Sequence, residues 1–299
     1  MDKEVYYFSG TGNSLVAART VSMAIGARML AMPPLMRRDV IESSATTIGI
    51  VFPVYNKGMP SIVERFIEKM CDLEGKYVFG ICTYGHAPCL TIRYLSKAIG
   101  AIGGRLAAGF AVRMPYNYLV PSLSIRDFFG SFMLEQIPMA TKRDLISASY
   151  RKLDQIGEYV LSKREGIHET SNETIGSLSD VLGLKGSLQR WTWLKVAGSK
   201  DITDPSSPHH VWKMDCGFSV SPECIRCGRC KDVCPVGNVA LEPCGPCWLH
   251  RCEQCFACLQ WCPKGAIQFR DGTRGCSRYH HPDVGARDMN LWKKGVKNE

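Results

Sequence analysis

The chain has 299 residues, of which 15 are cysteine, and carries a formal net charge of +9 from 37 Lys and Arg against 28 Asp and Glu. No apolar run of about eighteen residues occurs, which excludes a membrane-spanning helix, and the odd cysteine count argues against a closed disulfide framework. The basic residues are scattered rather than gathered into an aromatic-laced stripe and no nucleic-acid motif is present, so nucleic acid is not an expected partner.

Val5-Tyr6-Tyr7-Phe8 reads as a buried first strand. It runs into Ser9-Gly10-Thr11-Gly12-Asn13-Ser14 and then into the helical pattern Leu15, Val16, Ala18, Val21, Ala24, Ile25. Gly10 and Gly12 let the backbone curl, so that successive N–H groups and the hydroxyls of Ser9, Thr11 and Ser14 can face a phosphate at the helix N-terminus. No Lys or Arg lies between Val5 and Ala18, so such a cage works through dipoles. The Walker pattern is absent, and Leu15 stands where a dinucleotide fingerprint has its third Gly. An ordinary turn is the plain alternative; the strand, turn and helix context favours phosphate.

Ile48 to Pro53 is a continuous apolar run, as expected of a parallel strand buried on both faces. It ends in the loop Val54 to Pro60. Tyr77 to Thr83 is a further strand, ending in Tyr84-Gly85-His86-Ala87-Pro88-Cys89, and Leu106 to Val112 is the fifth, ending in Met114-Pro115-Tyr116-Asn117-Tyr118. Ligands of open α/β sheets bind at the carboxyl ends of strands, so Tyr55 sits where a ring could stack and Gly58 where a backbone peptide could approach. Ile62, Val63, Phe66, Ile67 and Met70 form one helical stripe, and another helical pattern runs from about Lys142 to Glu165. These apolar positions are read as core. Residues 166–210 read as a linker with one helix around Leu182 to Val196, where Trp191 and Trp193 are aromatic core or a cover for the joint.

Two cysteine runs follow, Cys224-x2-Cys227-x2-Cys230-x3-Cys234-Pro and Cys252-x2-Cys255-x2-Cys258-x3-Cys262-Pro. This is the spacing of two-cluster bacterial ferredoxins, in which the fourth Cys of each run serves the other cluster. One 4Fe–4S cluster therefore takes Cys224, Cys227, Cys230 and Cys262, and the other takes Cys252, Cys255, Cys258 and Cys234. Structural zinc is the alternative, but it more commonly uses two pairs than two triads with a Cys-Pro closure. The stretch after Cys234 echoes the one after Cys262, with Gly237 and Gly265 at the turns, and Val239, Leu241, Ile267 and Phe269 are expected as short strands against the clusters. Seven cysteines remain: Cys71, Cys82, Cys89, Cys216, Cys244, Cys247 and Cys276. Cys244 and Cys247 are expected in an incidental loop, since a thioredoxin-type dithiol needs a strand-to-helix setting.

The Ser9 to Ser14 loop resembles the flavodoxin phosphate loop, and the chain as a whole resembles the flavodoxin-ferredoxin fusion flavoproteins of anaerobes. The resemblance implies a doubly wound, flavodoxin-like parallel sheet that binds FMN over residues 1–165, and a small α+β ferredoxin domain with two 4Fe–4S clusters over 211–275. A tail, 276–299, carries an Arg278-Tyr279-x-x-Pro282 element similar to one in that family, whose aromatic and basic residues are expected to fold back over FMN or a cluster. Flavin contacts are then expected from Pro53, Tyr55, Asn56, Lys57 and Gly58 on one lip, from Thr83, Tyr84 and Gly85 on the other, and from Asn117 in an M-P-x-N-Y element. Similar proteins tend to have Gly where this chain has Cys89, a departure. Two clusters of about −2 each and a flavin phosphate of about −2 lower the formal +9 to about +3.

The implied role is electron transfer between a low-potential ferredoxin-like donor, the two clusters, FMN and a partner enzyme, which makes the chain an oxidoreductase or electron carrier. The alternative is a terminal FMN-dependent reductase of a small organic acceptor beside Tyr55 and Tyr84. A sensor without turnover would need an output domain that the sequence does not supply. Met1-Asp2-Lys3-Glu4 leads directly into a strand, so a reducing cytoplasm is the expected location. The sequence assigns no catalytic residue and no oligomeric state.

Overall fold

A computed structural model describes residues 2–55, 58–116, 139–170, 208–270 and 273–290. Asn56, Lys57, Asn117, Trp191, Trp193 and the helix expected around Leu182 to Val196 lie outside these. The first layer is a five-stranded parallel sheet of order β2-β1-β3-β4-β5. Its strands are β1 (Lys3–Tyr7), β2 (Arg28–Ala31), β3 (Thr47–Pro53), β4 (Tyr77–Tyr84) and β5 (Leu106–Arg113). This is the flavodoxin-like order, in which the direction of winding reverses between β1 and β3 and opens a crevice at their carboxyl ends.

The strands form where the apolar runs predict them because helices cover both faces, so β3 to β5 bury nearly every residue. The helices are α1 (Asn13–Ile25), α2 (Met32–Leu35), α3 (Ser61–Glu68), α4 (Thr91–Ala101) and α5 (Met139–Leu161). Helix α1 buries Leu15, Val16, Val21 and Ile25. It stops at Gly26, whose left-handed φ of 66° lets its N–H and that of Ala27 return to the carbonyls of Met23 and Ser22. The edge strand β2 has no sequence expectation behind it, being four residues long and mostly half-exposed.

The polar stretch after α5 was expected to be linker, yet residues 166–169 run beside β5. Gly109 N–H donates to Ile167 O at 2.7 Å and Glu169 N–H to Gly109 O at 2.9 Å. The Glu169 carboxylate also accepts from Ala111 N–H and Lys152 Nζ. These bonds satisfy an otherwise open sheet edge.

Residues 208–270 form a second unit with its own core around Met214, Phe218, Leu259, Ile267 and Phe269. A 3-10 segment (Pro208–Gly217) leads into β6 (Phe218–Val220), which pairs antiparallel with β9 (Ile267–Phe269). The strand β7 (Val239–Glu242) pairs with β8 (Gly245–Trp248) in a hairpin. Cys244 and Cys247 therefore belong to a hairpin turn and strand rather than a free loop. Leu241, expected against the clusters, is 38% exposed. Short helices α6 (Arg229–Val233) and α7 (Ala257–Gln260) each carry the third cysteine of one run.

Candidate functional site

The Ser9 to Ser14 loop lies at the carboxyl end of β1, with α1 behind it. Gly12, at φ 99°, makes the turn into the helix, and its N–H donates to Ser9 Oγ at 3.1 Å. Val16 N–H to Gly12 O is the first helical bond, so the N–H groups of Asn13, Ser14 and Leu15 have no intrahelical partner. Ser9, Thr11 and Ser14 are buried. Ser9 accepts from Gly12, which leaves its own hydroxyl proton to donate, and Ser14 Oγ bonds Thr83 Oγ1 at 2.8 Å, tying the loop to the end of β4. A dianion therefore meets a helix terminus and hydroxyl dipoles, and a phosphate fits this donor set.

The two expected lips follow β3 and β4. Tyr55 and Gly58 exchange backbone bonds of 3.0 and 2.9 Å, closing a tight turn. Tyr55 stands edge-on to Phe8 at 6.3 Å. Val54 N–H donates to Thr83 O and Met114 N–H to Tyr84 O, which carries the sheet past Pro53 and brings Tyr84 and Gly85 beside Tyr116. Cys89 has φ 52°, the left-handed region that favours glycine, so the departure from the flavodoxin-like pattern places a side chain where the backbone strains it.

The eight run cysteines fall into two groups. Burial first, then the proximity of Cys234, pushes the Cys255 thiol up to about 12. Burial, then Cys255 and Cys234, raises Cys258 well above the thiol range, and burial, then Cys255 and Cys258, raises Cys252. These four make an inner quartet. In the outer quartet, Cys224, Cys227, Cys230 and Cys262 line one pocket. Burial chiefly pushes Cys230 up to about 11, with Cys262 and Cys227 adding to it.

The two repeats share a local device. Asn238 N–H donates to Cys234 Sγ at 3.1 Å and Ala266 N–H to Cys262 Sγ at 3.3 Å, each four residues on, across turns made by Gly237 at φ 64° and Gly265 at φ 59°. Such bonds favour the thiolate a metal requires. A single zinc ion would hold its thiolates about 3.8 Å apart in a tetrahedron. Among the described residues, the one set of three Cys, His, Asp or Glu ligand atoms within 4.8 Å of one another is Asp215, Cys216 and His250, none of them in the cysteine runs. No three sulfurs of the cysteine runs come within that span, which is the spacing one tetrahedral ion would require.

Sequence reasoning missed how the two units meet. Trp261, between Cys258 and Cys262 in the second cysteine run, donates its indole N–H to Gly10 O at 3.1 Å. A Cβ placed on Gly10 would lie 2.7 Å from Cys255 O and 2.9 Å from Tyr55 Oη, so the inner quartet's loop rests directly on the phosphate loop. Arg65 on α3 pairs with Glu253, between Cys252 and Cys255, under the ring of Trp212. The tail closes the same edge: His281 N–H donates to Thr11 O at 2.8 Å and Tyr279 Oη to Asn13 Oδ1 at 2.8 Å. The bonds to Gly10 O and Thr11 O are made to backbone carbonyls, which leave no residue pattern in the sequence.

No protein-family model matches the chain. A curated relative, polyferredoxin protein MvhB of Methanothermus fervidus, is 35% identical over 51 residues, which is 17% of this chain. The chain spans 12% of the length of that relative. Among solved structures, an archaeal flavodoxin is 11% identical, with 55% of this chain and 98% of that one covered at a TM-score of 0.35. A Megasphaera elsdenii flavodoxin is 17% identical over 52% of this chain and 97% of that one, with a TM-score of 0.31. The FMN-dependent NADH-azoreductase of Bacillus anthracis is 10% identical over 54% of this chain and all of that one, with a TM-score of 0.35. No described helix is long and apolar enough to cross a membrane.

Proposed function

We propose that this protein is an iron-sulfur flavoprotein that passes electrons between an iron-sulfur carrier protein, two 4Fe–4S clusters, FMN and a partner enzyme. The observation that carries the reading is the seating of the inner cysteine quartet on the phosphate loop, through Trp261 and the close approach of Cys255 to Gly10. Clusters exchange single electrons and FMN exchanges one or two, so together they interconvert single and paired electron traffic.

The chain's own residues then do the positioning. Cys252, Cys255, Cys258 and Cys234 hold the inner cluster, and Cys224, Cys227, Cys230 and Cys262 the outer one. Ser9 to Ser14 hold the FMN phosphate, with Pro53, Tyr55 and Gly58 on one side of the ring and Thr83, Tyr84 and Gly85 on the other. The flavodoxin-like domain spans 1–165 and the cluster domain 211–275, and the tail seals the joint. Asp215 braces the inner loop by accepting from Asn238 Nδ2 and His250 N–H, both at 2.9 Å, while Arg251 N–H donates to Asn238 Oδ1.

Iron, sulfide and flavin analysis of anoxically purified protein, with EPR during stepwise reduction, tests the reading. The expected result is eight irons, eight sulfides and one FMN per chain, by the stoichiometry of two cubanes, with both centres reducible. An iron-free preparation refutes it. Rapid reduction of a small organic acceptor with no partner protein would favour a terminal reductase instead.

A further inference from the structure

We propose that the exposed rim of the outer quartet is the docking surface for an acidic iron-sulfur electron carrier. This rests on the function proposed above and adds the port through which electrons enter or leave. The two quartets are unequally covered: Cys252, Cys255 and Cys258 are each 7% exposed, with Cys255 against the phosphate loop, whereas Cys227 is exposed and Cys224 half-buried.

The outer cavity brings Arg226, Arg229 and Lys264 to its lining, together with Ile225 and Leu241, and no carboxylate. All three cations are exposed, and Ile225 and Leu241 are 58% and 38% exposed, so the cavity mouth is a small apolar centre within a cationic collar. Glu223, Asp232 and Glu242 sit nearby in sequence but outside that lining. Four thiolates around a cubane carry about −2, which alone would repel an anionic partner. The three cations of the lining outnumber that charge of about −2 at the mouth, and positive fields raise encounter rates with partners of opposite charge. Apolar residues inside a polar rim are also the usual anatomy of a transient interface.

In the docked complex one electron leaves the reduced carrier, which is oxidised by one unit, and enters the outer centre, which is reduced by one. No bond forms or breaks, and no proton changes hands.

The test compares the holoprotein with the R226E/R229E/K264E variant in stopped-flow reduction by a reduced two-cluster ferredoxin of net negative charge. The expected result is a second-order rate constant lowered about ten-fold or more at low ionic strength, with the gap closing as salt screens the collar. Calorimetric binding of the oxidised ferredoxin weakens in parallel, while iron content, EPR signals and the rate of reduction by an uncharged photoreduced deazaflavin stay as in the wild type. Equal ferredoxin rates in two iron-replete proteins overturn the docking surface and leave the proposed function standing. So does a variant that loses affinity for nucleic acid but not for the carrier. A wild-type protein without iron overturns the proposed function itself.

Discussion

Trp261 donates its indole N–H to the carbonyl of Gly10 across 3.1 Å, a buried bond between positions 251 apart in the chain. The indole also stacks on the ring of His280 at 4.0 Å. Replacing Trp261 by Phe keeps the stacking face and removes the donor, which leaves Gly10 O buried without that partner. The expected cost is about 1–3 kcal/mol in chemical denaturation. Electron equilibration between flavin and clusters, followed by stopped-flow absorbance, should slow, with iron and flavin content unchanged.

Gly10→Ala tests the same joint by steric means. The added methyl meets the backbone oxygen of Cys255 at 2.7 Å and its Cβ at 2.8 Å, and neither can swing aside as the end of a flexible side chain would. Overpacking of this kind costs about 1–3 kcal/mol. Hydrogen exchange should show faster opening of the Cys252–Cys258 segment, while the sheet strands keep their protection.

The ion pair between Arg65 and Glu253 is sealed, with side-chain exposures of 16% and 2%. Burial raises the Glu253 carboxyl, and Arg65 works against that rise. Arg65→Met leaves a buried carboxylate without its cation, for an expected loss of about 3–5 kcal/mol. Arg65→Met with Glu253→Gln should recover much of it. A double variant as unstable as the single one would show that packing of the arginine stem beneath Trp212 matters more than charge.

His281 is fully buried, and burial lowers the pKa of its ring below the ordinary value of 6.5. Asp283 opposes the shift, and His280 and Arg19 add to it. Because the docked tail holds the neutral ring, the released tail binds more protons at acid pH. Docking is therefore complete above about pH 6.5 and weakens as pH falls below it. Limited proteolysis of the tail should accelerate between pH 7 and pH 5.5, and His281→Leu should flatten that dependence.

Much of the fold was legible because burial leaves a direct signature. Ile48 to Pro53 and Tyr77 to Thr83 read as strands since helices cover both their faces. The turn glycines and cysteine spacings were legible for the same reason, being local requirements. Strand β2 was not, because four edge residues, of which only Ala31 is buried, carry no period. Pairing was also hidden: the short strands expected at Val239 and Leu241 and at Ile267 and Phe269 carry no mark of their partners, and β7 pairs with β8 and β9 with β6. Of the joint, only the return of the tail was legible, through Tyr279; the seat of Trp261 and His281 was not, because Gly10 O and Thr11 O are acceptors that any residue would supply.

The unequal shielding of the two quartets bears on how the protein fails in air. Dioxygen reaches the rim beside Cys227 through open solvent, whereas access to Cys252, Cys255 and Cys258 requires the joint to breathe. Under the two-cluster function proposed above, damage should accordingly proceed in two stages, a quick loss of about four irons from the outer site and a slower one from the inner, resolvable by timed iron release during aeration. The half-stripped molecule would keep its flavin neighbour wired to a cube with no outlet, a dead end rather than a leak.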